Sequence, residues 1–191
     1  MNKKIDDSNL QLIILSFIFV LLCFILNPNF ISDISFSKHW TTYHRDDIVF
    51  VYNSLLYAEG LDQHHLDHPS LFTFIIFPFF YKLAFYIGYL DFYNLSGFLQ
   101  VEDINLALSK LFFISRFCIQ LFSLGIIFIT YKIMIKFSGR TVDSFFLTIF
   151  FIFSTGFTSA SNRIDSGLIA VFFIILAFYL FLKFLENNPK K

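Results

Sequence analysis

The chain has 191 residues, of which 57% are hydrophobic, 21% aromatic and only 15% charged, and its formal net charge is zero. Apolar runs this long exclude a water-soluble domain, and scattered, balanced charges exclude a nucleic-acid groove. The composition predicts an all-α integral membrane protein, one membrane domain over residues 1–191, with about four transmembrane helices and two juxtamembrane helices in the first outer loop. The 31 phenylalanines are read as lipid-facing bulk, and Cys23 and Cys118, both inside apolar runs, as buried thiols.

Lys3 and Lys4 precede the first apolar run, residues 10–30. It ends at Asn27-Pro28-Asn29-Phe30 without the small residues of a cleavage site, which predicts an uncleaved signal anchor. Residues 31–70 form the one long polar stretch. All five histidines (His39, His44, His64, His65 and His68) fall there, together with Asp46, Asp47, Glu59, Asp62 and Asp67. Histidine and carboxylate bind metals and move protons near neutral pH, so this loop is the expected seat of any chemistry.

Within it, Asp46-Asp47 opens a segment whose apolar residues Ile48, Val51, Tyr52 and Leu55 recur at helical spacing before Gly60. That predicts a short amphipathic helix on the membrane surface, with two carboxylates held at the positive end of its dipole. Helix capping by aspartate accounts for the same pair. His64-His65-Leu66-Asp67-His68-Pro69 follows. His64 and His68 have i, i+4 spacing, but Pro69 biases His68 away from helix, so Pro69 is read as the start of the next helix. A divalent ion (manganese, magnesium or zinc) held by Asp46, His64 and His68 is one reading of the cluster, and headgroup-facing histidines are the other.

Residues 71–90 are apolar but carry Pro78, Lys82 and Gly88, and a charge at mid-membrane costs roughly 2.5–3.5 kcal/mol on insertion scales. They are predicted to form a juxtamembrane or re-entrant helix. Residues 91–108 form the other polar connection, in which Asn94-Leu95-Ser96 matches a glycosylation acceptor. Three further transmembrane helices are predicted at 109–133, 143–158 and 166–185. Arg116 lies one turn inside the first of these, where it snorkels or neutralises a lipid phosphate. Lys132, Lys136 and Arg140, the C-terminal lysines, and Lys3 and Lys4 place the N-terminus and the turn near residue 137 in the cytoplasm by the positive-inside rule. The histidine loop is then outside, level with a second polar segment, Ser159–Gly167. There Arg163 is suited to gripping a phosphate, and Asp165 to capping the last helix or serving the site.

The order of these features is more specific than any of them alone. A signal anchor, Asp46-Asp47 at the head of an amphipathic helix, Tyr57-Ala58-Glu59-Gly60, Asp67-His68-Pro69-Ser70-Leu71, Ser115-Arg116, a basic turn at 136–140 and Arg163-Ile164-Asp165 together resemble the front part of a GT-C superfamily membrane glycosyltransferase. The closest likeness is to the protein O-mannosyltransferase and lipid A aminoarabinose transferase branch. Asp47 stands where that branch has Glu, and Ser70 where it has a second Pro. The resemblance implies transfer of a hexosyl or pentosyl group from a polyprenyl-phosphate carrier to an acceptor at the outer face of a plasma or inner membrane. It also implies an incomplete or fragmentary chain, completed by further helices or a second chain. It assigns Asp46 as general base or metal-site carboxylate, with Asp47 assisting and Asp165 as a further acidic residue. His68, Arg163 and Arg116 would bind the donor phosphate. The competing readings are a non-catalytic membrane subunit and a metal-binding module built on the histidine-rich loop.

Overall fold

The computed structural model describes residues 7–26, 45–64, 71–164 and 166–188, with the side chains of Arg45, Asp46 and Leu71 outside that description. Helix α1 spans Asp7–Leu26, α2 Arg45–Glu59, α3 Leu71–Tyr86, α4 Leu95–Phe98, α5 Ile104–Ser138, α6 Thr141–Ile152, α7 Thr155–Ser161 and α8 Ser166–Asn187. There is no strand among the described residues. Three of the helices, α1, α5 and α8, are long and apolar enough to cross a membrane. The pair α6 and α7 passes the same test together but is bent by 65° at its break.

The bundle is organised around α5, which packs against α1, α2, α3, α6, α7 and α8. At 1.5 Å per residue α5 is about 52 Å long, well beyond a hydrocarbon core of about 30 Å. It starts at Ile104, five residues before the expected limit of 109, where Asp103 at the N-cap accepts the Leu106 N–H at 3.0 Å. It ends at Gly139, whose φ of 66° is the left-handed C-cap conformation that glycine adopts without a Cβ clash.

Two pairings show which helix ends lie together. At one end, Tyr131 Oη donates to Gln11 Oε1 at 2.5 Å, and Lys136 Nζ pairs with Glu186 at 2.6 Å. The start of α1 and the ends of α5 and α8 are therefore neighbours. At the other end, Glu59 accepts the Ser96 hydroxyl at 2.5 Å and the Ser96 N–H at 3.1 Å, joining the end of α2 to α4.

Several expected boundaries are corrected. The predicted helix 71–90 stops at Tyr86, and Gly88 turns with φ of 78°. Phe74, Phe77, Tyr81 and Ala84 bury one stripe of it, while Lys82 stays exposed over the Tyr93 ring at 5.7 Å. The predicted single span 143–158 is broken, because Ser154 caps α7 by accepting the Phe157 N–H at 3.4 Å. Phe157 then packs on Phe151 of α6 and Phe19 of α1, at centroid distances of 4.5 and 5.8 Å. The predicted surface helix α2 ends before Gly60 as expected but is buried more broadly than one stripe. It lies against both α3 and α5, so Asn53 and Ser54 are enclosed alongside Val51 and Leu55.

Candidate functional site

Asp47 is the most informative polar residue of the bundle. It sits in the first turn of α2 and is only 2% exposed. Its Oδ2 lies 3.4 Å from Nη2 of Arg116 on α5, and its Oδ1 accepts the Ile164 backbone N–H at 3.2 Å. One carboxylate thus ties its own helix to two segments that are 69 and 117 residues from it in the chain. Burying a charge is costly unless it is paired and hydrogen-bonded, and this pairing, with the α2 dipole behind it, meets that requirement.

The depth of the clasp follows from α5. Arg116 precedes Lys132 by sixteen positions, about 24 Å along a helix. Were Lys132 at one boundary of a core of about 30 Å, Arg116 would fall about 6 Å inside the opposite boundary. Directly before Arg116, Ser115 gives its proton to the Leu111 carbonyl at 2.9 Å, so the fully buried Tyr81 hydroxyl, 2.7 Å from Ser115 Oγ, is the donor in that pair. This contact fixes α3 against α5 beside Arg116. Tyr81 was not legible as a site neighbour, although a tyrosine and a serine in apolar helices both need partners.

The other expected site residues are distributed as follows. Asp46 stands next to Asp47 in the first turn of α2, with its side chain outside the described atoms. His68 and Asp165 lie outside the described residues altogether. Arg163 is exposed, immediately before the residue that Asp47 holds. His64 is exposed, with its ring stacked 5.9 Å from Tyr52, and its backbone N–H donates to the buried Asn53 Oδ1 at 3.0 Å. Among the described residues no group of three or more His, Cys, Asp or Glu side chains converges to hold a metal.

Glu59 has a structural task. Its carboxylate binds the first turn of α4 through Ser96, and those hydrogen bonds hold its pKa below the ordinary glutamate value. Asn94 is engaged as the α4 N-cap, accepting the Gly97 N–H at 3.2 Å, so the glycosylation-like tripeptide is part of a packed turn. Cys23 and Cys118 are both free and buried, as expected.

Comparison of the chain with protein-family models, with curated proteins and with solved structures yields no match.

Proposed function

We propose that the chain is a multi-pass membrane component of a sugar-transfer enzyme, moving a glycosyl group from a polyprenyl-phosphate carrier to an acceptor hydroxyl at the outer face. In this reading α1, α5, the bent α6–α7 pair and α8 cross the membrane, α2 and α3 lie at the outer side, and the basic end of α5 is cytoplasmic. The observation that carries it is the Asp47 clasp. It brings the start of α2, Arg116 and Ile164, which lie in three separate elements of the resemblance, to one level of the bundle.

The chemistry divides between the two neighbouring aspartates. Both Asp47 oxygens are engaged, so Asp47 positions the site. Asp46 takes the proton from the acceptor hydroxyl as that oxygen attacks the anomeric carbon. The bond from the anomeric carbon to the phosphate oxygen breaks, and the phosphate leaves with the electron pair. Arg163 and His68 stabilise the charge that builds up on it. Asp165, two residues after Arg163 in sequence, completes the acidic side of the site.

The test is Asp46→Asn in membrane vesicles supplied with a labelled polyprenyl-phosphate sugar. Carrier turnover is expected to fall at least about a hundredfold, the scale of a lost general base, with insertion unchanged. Undiminished turnover would remove Asp46 from the mechanism. Stoichiometric zinc uptake that depends on His64 and His68 but not on Asp46 would instead support a metal-binding module.

A further inference from the structure

Away from the Asp47 clasp, α5 carries two cavities in register along a single face. Leu106 and Lys110 line a polar chamber of about 440 Å3 together with Asp91, Glu102 and Asp103. Phe113 and Phe117 line an apolar groove of about 270 Å3, with Leu83, Ala84 and Tyr89 on the facing wall. The α5 positions follow one another at three- and four-residue steps, so they form a continuous stripe about 16 Å long. The seam between the cavities is occupied by Lys110, whose Nζ is 5.7 Å from the Tyr89 ring centre and 3.6 Å from Asp91.

Polarity and depth change together along this stripe. Lys110 lies about 9 Å further along α5 than Arg116, towards its N-terminal end, which places the chamber above the hydrocarbon boundary and the groove at and below it. Three carboxylates face one ammonium in the chamber, a net charge of about −2, which repels a purely anionic head such as a polyprenyl phosphate. A head carrying both a phosphate and an ammonium fits better. Its ammonium would donate to Glu102 and Asp91, its phosphate would meet Lys110, and its chain would enter the groove. A primary ammonium gives three donors to these carboxylates where a quaternary one gives none.

We propose that this face of α5 is a headgroup-selective lipid site, distinct from the sugar-transfer site, that takes a phospholipid bearing a primary ammonium. The test is native mass spectrometry of the full chain released from bilayers holding equal parts of phosphatidylethanolamine, phosphatidylcholine, phosphatidylglycerol and a polyprenyl phosphate. Phosphatidylethanolamine is expected to be retained about tenfold over phosphatidylglycerol, the order expected of one or two charge-assisted contacts. Leu83→Trp and Ile87→Trp fill the groove from positions that are 47% and 73% exposed, and are expected to remove the retained lipid without disturbing insertion. The Asp91→Asn, Glu102→Gln double variant should keep a lipid but shift the preference towards phosphatidylglycerol. Equal retention of all headgroups, preference for the polyprenyl phosphate, or retention indifferent to both tryptophans would each overturn the proposal.

Discussion

Removing the Asp47 carboxylate takes one countercharge from Arg116, whose side chain is 11% exposed, and the acceptor from the Ile164 N–H. Breaking a buried ion pair from one side costs about 3–5 kcal/mol, far more than a surface pair, because the remaining charge stays in a poor solvent. Asp47→Ala is therefore expected to lower stability by about 3 kcal/mol in a denaturant titration of the micelle-embedded protein. Asp47→Asn keeps an oxygen for Ile164 and should cost less. Combining Asp47→Ala with Arg116→Met removes both charges, so the double variant should be more stable than the sum of the single losses predicts. Strict additivity would show that the two charges act independently and would dissolve the clasp as a structural unit.

Among the elements, the contact of α5 with α8 depends on one small residue. A Cβ at Gly125 would stand 2.6 Å from Phe172 Cε2 and 3.1 Å from Cδ2, where the ring packs edge-on against Phe122 at 5.0 Å. Two effects compete in Gly125→Ala. Helix propensity favours alanine by about 1 kcal/mol, while overpacking costs about 1–3 kcal/mol, so net destabilisation is expected. Replacing Phe172 by leucine in the same chain should relieve the clash and leave the propensity gain, turning the effect of Gly125→Ala from loss to gain in the same titration. A stabilising Gly125→Ala in the presence of Phe172 would mean that the ring moves freely. The helices themselves were largely legible, since apolar run length alone marks α1, α5 and α8, and Gly60 marks the end of α2. The bend between α6 and α7 was not, because no proline announces it and Ser154 acts only as a cap. The Asp47–Arg116 pairing was hidden for a different reason. Each residue had a sufficient local explanation, capping for one and snorkelling for the other, and only the packing of α2 on α5 brings them together.

At the scale of the whole molecule, the two ends of the bundle make a prediction about sidedness that does not depend on the catalytic reading. Gln11 with Tyr131 and Lys136 with Glu186 mark one end, whereas Asp47 with Arg116 and Glu59 with Ser96 mark the other. Lys132, Lys136 and Arg140 concentrate positive charge at the first end, which the positive-inside rule places in the cytoplasm. Cysteines introduced singly at Asp62 and Gln100 should then react with an impermeant thiol reagent from the outer side, and those at Phe137 and Asn188 only after the membrane is opened. All four positions are exposed, and the native Cys23 and Cys118 are 7% and 0% exposed, so the introduced thiol should dominate the signal. Labelling of residues 62 and 137 from the same side would break the four-crossing arrangement. It would also separate Arg116 from the outer boundary on which both the proposed sugar-transfer site and the proposed lipid site depend, because the same α5 axis sets the depth of each.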